Sequence, residues 1–103
     1  MSYCDDESKK IFNEFLQKNK IAVMSTVGCP ACVDAKNLLK KHSFDYSELD
    51  LTSSENEKLF NCLYDVTRSH YVPQIFINNK YVGGYRELNY LNNTGILGDL
   101  YKL

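Results

Sequence analysis

Two cysteines separated by two residues, Cys29-Pro30-Ala31-Cys32, stand where the apolar run Ile21-Ala22-Val23-Met24 gives way to a stretch with helical periodicity, Val33 to Lys41. This order predicts a strand, a turn carrying Cys29, and a helix that opens at Pro30. A thiol at the first turn of a helix lies beside backbone N–H groups with no helical acceptor and beside the positive end of the helix dipole. That setting favours the thiolate, which is the nucleophilic form. Cys32 follows one helical turn later, within disulfide reach. Pro30 suits the first turn, where its missing N–H is no loss. The chemistry implied is thiol–disulfide exchange. A structural zinc is the competing use of such a pair, but it normally draws on a second pair or on closely spaced histidines. Cys4, Cys62, His42 and His70 are scattered instead, and no metal is expected.

The elements that must position this pair can be read from periodicity. Residues 7 to 18 form a helical pattern with Ile11, Phe12, Phe15 and Leu16 on one face, and Asp5, Asp6 and Glu7 favour its N-terminal end. Ile21 to Ser25 predicts a buried strand. Pro30 to His42 predicts a helix with Ala31, Ala35, Leu38 and Leu39 inward. Phe44 to Leu49 alternates as a strand, and Glu55 to Thr67 reads as a helix with Leu59, Cys62, Leu63 and Val66 on its apolar face. Gln74 to Ile77 and Tyr81 to Val82 predict a hairpin turning at Asn78-Asn79-Lys80. Gly83-Gly84 breaks the chain before a helical region from about Arg86 to Tyr101, interrupted at Asn92 to Gly95. The first two strands are expected to run parallel, joined through the cysteine-bearing helix. The Cys29 loop then lies at the C-terminal end of a strand, where α/β sheets place their sites.

Length and composition narrow the function classes. The 103 residues predict one domain spanning 1–103, and 44% hydrophobic residues suffice for a core. Twelve Lys and Arg against 13 Asp and Glu give a net charge of −1, with the lysines spread along the chain, so no nucleic-acid surface is expected. No apolar run approaches the length of a membrane span. The start Met1-Ser2-Tyr3-Cys4-Asp5-Asp6-Glu7 is polar and acidic, unlike a secretory or transit peptide, which makes the cytoplasm the expected location. Cys62 fits the apolar face of its helix as a buried small residue, and Cys4 is expected in a mobile tail.

Three separated motifs, Cys29-Pro30-Ala31-Cys32, Tyr71-Val72-Pro73 and Gly83-Gly84, together resemble a dithiol glutaredoxin of the C-P-x-C type. The stretch Cys32-Val33-Asp34-Ala35-Lys36 resembles the family's continuation of the first motif. The likeness covers nearly the whole chain. It implies an α/β protein with the thioredoxin fold, a four-stranded mixed sheet flanked by helices, with the extra N-terminal helix common in eukaryotic-type members. It implies a glutathione-dependent thiol–disulfide oxidoreductase acting on protein disulfides and glutathionyl mixed disulfides. Cys29, at the open helix end, is then the nucleophile and Cys32 the resolving thiol. Glutathione is the reductant co-substrate, and the partners are glutathione and oxidised or glutathionylated proteins, with the chain a monomer. The resemblance also implies a cis bond before Pro73 that leaves the Val72 backbone beside Cys29 for strand-like pairing with a thiol peptide. Gly84 would permit close backbone approach, and the N–H groups of Arg86 and Glu87 would hold the γ-glutamyl carboxylate. Thr26 and Tyr71 complete the implied glutathione-binding set.

Several positions depart from the family pattern. Ala31 stands where Tyr or Phe is usual. Thr26 stands where Lys or Arg normally meets the glycine carboxylate of glutathione. Phe60 aligns with a Gln, His70 with a basic residue and Tyr71 with a Thr. Each lost charge-assisted contact costs about 1–3 kcal/mol unless replaced. Arg68, His70 and Lys36 are the candidates to replace them. The alternative readings are a thioredoxin-like dithiol reductase, a glutathione-assisted iron–sulfur cluster carrier, and a redox-inert binding module.

Overall fold

The strand that follows the first helix is buried along its whole length, and the other elements assemble around it. The computed structural model describes residues 4–103; Met1, Ser2 and Tyr3, part of the polar start, lie outside the described residues. In chain order the elements are α1 (Asp6–Lys18), β1 (Ile21–Ser25), α2 (Pro30–Lys41), β2 (Ser47–Asp50), α3 (Leu59–Thr67), β3 (Gln74–Ile77), β4 (Lys80–Gly83), α4 (Tyr85–Asn93) and α5 (Ile96–Tyr101), with a short 3₁₀ turn at Ser54–Asn56 before α3.

The four strands lie in the order β2-β1-β3-β4. β1 pairs parallel with β2 and antiparallel with β3, and β4 returns antiparallel on β3. Asn78 and Asn79 take positive φ, +51° and +68°, as a two-residue hairpin turn requires. A central strand covered on both faces reads as a continuous apolar run, which is the pattern of Ile21-Ala22-Val23-Met24. Its side chains divide by alternation. Ala22 and Met24 join Phe76 under α1 and α3, where Phe12, Leu16, Leu59, Cys62 and Leu63 pack. Ile21 and Val23 join Ile75 and Ile77 under α2, α4 and α5, against Ala35, Leu38, Leu39, Leu88 and Leu97. The architecture is the thioredoxin fold with an added N-terminal helix.

Four local expectations are corrected. The strand expected over Phe44 to Leu49 is Ser47–Asp50. Phe44 instead closes the end of α2, its N–H bonded to the Leu39 carbonyl, and its ring meets Tyr101 edge-on at 4.9 Å. The helix expected from Glu55 begins at Leu59, because the Asn56 N–H bonds to Ser53 in a tighter turn. Ile11 and Val66 are 49% and 58% exposed, and Ala31 is only partly covered. The buried stripe of α1 runs Ser8–Phe12–Leu16 and that of α3 runs Leu59–Cys62–Leu63, which leaves Ile11 and Val66 outside both. Cys4 is no loose tail residue. It is joined to Cys62 by a disulfide across a Cα–Cα distance of 4.8 Å, because α1 and α3 share one face of the sheet.

Phe12 is 2% exposed and meets Phe76 edge-on at 6.0 Å, so it carries the docking of α1. Phe12→Ala should lower stability by about 3–5 kcal/mol, read as a lower urea midpoint with far-UV circular dichroism retained in buffer.

Candidate active site

The cysteine pair sits where its sequence position predicted, at the junction of β1 and α2. Cys29 is the N-cap of α2, with extended backbone (φ −104°, ψ 105°), and Pro30 opens the helix. The Cys32 N–H donates to Cys29 Sγ at 3.1 Å. A sulfur so placed receives a helix-end N–H and the positive end of the dipole together. Cys29 and Cys32 are joined as a disulfide, Cα–Cα 5.2 Å. Their exposure differs: Cys32 is 1% exposed, whereas Cys29 is partly open.

Strand register brings the other two motifs to this sulfur. Met24 faces Gln74 across the antiparallel pair β1–β3. The residues after Met24 therefore lie beside the residues before Gln74. The Val72–Pro73 bond is cis, and the Val72 carbonyl oxygen is 3.8 Å from Cys29 Sγ. On the next strand Gly83 faces Ile75, which places Gly84 against Pro73. A Cβ on Gly84 would stand 3.3 Å from the Pro73 carbonyl oxygen, and a Cβ on Gly83 (φ +126°) would come within 2.6 Å of the Glu87 side chain. Gly83 is favoured by its positive φ, and at Gly84 a side chain would press on the Pro73 carbonyl.

The end of α4 differs in one respect from the expectation. Its first helical bond runs from the Leu88 N–H to the Gly84 carbonyl, so the N–H groups of Arg86 and Glu87 belong to the open first turn. The Glu87 carboxylate already folds back there, accepting the Gly84 N–H at 2.8 Å. Arg86 and Glu87 border a cavity of about 620 Å³ with Val82 and Tyr90 that shares no lining residue with the cysteine cleft.

That cleft, about 400 Å³, is lined by Thr26, Val27, Cys29, Pro30, Cys32, Lys36, Glu48 and Asp50. Lys36 reaches Glu48 at 2.8 Å, and Ser25 Oγ also donates to Glu48. Burial pushes the Glu48 carboxyl up, but the hydrogen bonds from Lys36 and Ser25 outweigh it and hold it below the usual range. The hydrogen bond to Glu48 raises Lys36 in turn. At the positions of the expected glycine-carboxylate contacts stands an aromatic stack instead. His70 lies on Tyr64 at 4.1 Å and 11°, Phe60 is 5.8 Å from His70, and Arg68 lies over Tyr64. Tyr71 is 86% exposed beside it.

Sequence reasoning passed over Gln74, which is fully buried on β3. Its Nε2 donates to the carbonyls of Ser69 at 2.7 Å and Tyr71 at 3.0 Å. It therefore pins the loop that carries His70, Tyr71 and Val72. A polar residue inside an otherwise apolar strand, directly after the proline, was the available signal.

A nucleophilic thiol at a helix end, a buried partner thiol and a cis-proline loop on a thioredoxin fold define a thiol–disulfide oxidoreductase. The glutaredoxin family model matches residues 21–82, and the chain belongs to that family. Glutaredoxin-2 of Schizosaccharomyces pombe is 34% identical over 91 residues, covering 87% of this chain and 83% of the relative. Oxidised glutaredoxin 2 of Chlamydomonas reinhardtii superposes with a TM-score of 0.83 at 29% identity, covering 99% of this chain and 95% of the other. A buckwheat glutaredoxin solved in complex with glutathione shares the fold, with a TM-score of 0.84 at 22% identity over 95% of this chain and 94% of the other.

Gln74→Leu leaves two loop carbonyls without their donor. It should raise the KM for a disulfide peptide roughly tenfold, equivalent to about 1.4 kcal/mol, while the pH profile of Cys29 alkylation stays unchanged. Glu48 gives a second test. Because its pKa is lowered on folding, the stability it contributes is fully present above the ordinary glutamate value of 4.5 and is lost as pH falls through the folded value. The stability gap between the native chain and Glu48→Gln should be constant near neutrality and close on acidification below 4.5 in urea titrations.

Proposed function

We propose that the chain is a glutathione-dependent thiol–disulfide oxidoreductase that reduces protein disulfides and glutathionyl mixed disulfides. The observation that carries this is the asymmetry of the pair: Cys29 Sγ is partly open and bonded by a helix-end N–H, while Cys32 is 1% exposed. Only Cys29 can meet a macromolecular disulfide. Its thiolate attacks the glutathione-side sulfur of a mixed disulfide, and the protein thiolate leaves and takes a proton. A second glutathione thiolate attacks the sulfur now on Cys29, giving oxidised glutathione and the Cys29 thiolate again. With a protein disulfide, Cys29 forms a mixed disulfide with the substrate. Cys32 then attacks Cys29 Sγ, the substrate thiol leaves, and the Cys29–Cys32 bond remains for two glutathiones to reduce.

The Val72 backbone, 3.8 Å from the sulfur, is suited to pair with an extended thiol peptide. Thr26, Tyr71, Val72, Pro73, Gly84, Arg86 and Glu87 make up the proposed glutathione surface. The glutathione bound by the buckwheat relative supports that choice of reductant. The Phe60–His70–Tyr64 stack favours a second reading, a thioredoxin-like dithiol reductase, since it replaces charged contacts at one end of glutathione. In the first reading residues 1–103 act as one domain and a monomer in the cytoplasm.

Turnover of a glutathionylated peptide by reduced glutathione separates the two. Cys32→Ser should keep activity and Cys29→Ser should abolish it. Loss of activity in Cys32→Ser, with the native chain still reducing protein disulfides, would select the dithiol reductase.

A further inference from the structure

The mechanism leaves two of the four cysteines unused, and they are bonded to each other. The Cys4–Cys62 pair lies on the α1/α3 face of the sheet, whereas α2, which carries Cys29 and Cys32, packs on the opposite face. We propose that Cys4–Cys62 is a second thiol–disulfide site, opened by low-molecular-weight thiols through attack on Cys4, whose oxidation state decides whether the start of α1 is locked to α3.

Access dictates the direction of attack. Cys62 is 2% exposed within the core cluster, while Cys4 is only partly covered. A thiolate approaching along the sulfur–sulfur axis reaches Cys4 Sγ and expels Cys62 Sγ, which leaves with the electron pair and takes up a proton. A second thiolate attacks the small-molecule sulfur now carried on Cys4. It forms the small-molecule disulfide and releases the Cys4 thiol, so two thiols supply the two electrons. Because the sheet separates the two pairs, a diffusible thiol rather than direct exchange connects them.

The site can open without unfolding the chain. Cys4 precedes α1, and α1 keeps its own anchors: Phe12 and Leu16 in the core, and the Asp5 cap on the Ser8 N–H at 2.7 Å. The Lys58–Asp5 contact near Cys4, at 3.9 Å, is an exposed pair of little strength. The bond spans a sequence separation of 58, taking in α1, β1, α2, β2 and the start of α3. Closing a loop of that size restricts the unfolded chain strongly. Oxidation therefore raises stability without touching Cys29.

The test uses the full chain with Cys29→Ser and Cys32→Ser, oxidised in air and then given excess reduced glutathione. Samples are acid-quenched, unfolded, labelled with a maleimide and mapped by mass. We expect no label on Cys4 or Cys62 before glutathione is added, then a transient glutathione adduct on Cys4 alone, then label on both. Tm should fall by about 20 °C on reduction, with the far-UV circular dichroism of the folded chain retained at room temperature. Cys4→Ser in the same background should show the lower Tm with or without glutathione. The proposal is overturned if both cysteines label before glutathione is added, if the adduct forms on Cys62, if the bond survives excess glutathione, or if reduction leaves Tm unmoved. Since this variant lacks Cys29 and Cys32, each result is independent of turnover at Cys29.

Discussion

The constraint on which the structure depends is that β1 has no exposed side. All five of its residues are buried, both faces are covered by helices, and both edges are paired. A strand in that position has to be apolar on every residue but the last, and it has to stop where polar chemistry begins. Its C-terminal end is extended by one further bond, from the Leu51 N–H to the Ser25 carbonyl at 2.8 Å. Four residues later the chain is already the cap of α2. The rigid centre of the sheet and the reactive sulfur are therefore separated by one short turn, and the sulfur inherits the position of the sheet.

The chemistry of Cys29 then follows from what surrounds a helix end. The Cys32 N–H is both the donor to Cys29 Sγ and part of the residue proposed as the resolving thiol. The helix that lowers the cost of the thiolate also sets the distance to its partner thiol. The substrate side is built differently, from a loop held by one buried amide. Gln74 spends both Nε2 hydrogens on loop carbonyls, and its Oε1 has no hydrogen-bond partner among the described residues. An unpaired buried acceptor costs stability. Its retention here fits a residue that fixes where Tyr71 and Val72 lie relative to the sulfur.

Helix α3 links the second cysteine pair to the aromatic stack. One side of it carries Cys62 into the core and bonds to Cys4. Another carries Phe60 and Tyr64, four residues apart and so on one face, out to His70. Replacing charged contacts by stacked rings changes the recognition available there from point charges to flat, polarizable surface. Lys36, a candidate to restore the missing charge, is tied to Glu48 in the cleft on the other side of Cys29.

The sequence by itself determined the order of elements, the span of β1 and the placement of the thiol pair at the head of α2. These rest on local rules: apolar runs for a buried strand, 3.6-residue periodicity for helices, and proline in a first turn. The motifs around Pro73 and Gly84 were also legible as motifs. Only the tertiary structure decided that they meet, because strand register sets Gln74 opposite Met24 and Gly83 opposite Ile75. It also decided features that no local pattern encodes. Cys4 finds Cys62 across a sequence separation of 58 because two helices share a sheet face. Ile11 and Val66 stay outside because each helix buries a narrower stripe than its apolar residues allow. Glu48 joins the cleft through Ser25 and Lys36, which parallel pairing of β2 with β1 brings within reach. Periodicity fixes which way a residue faces along its own element, and contacts between elements fix what it meets.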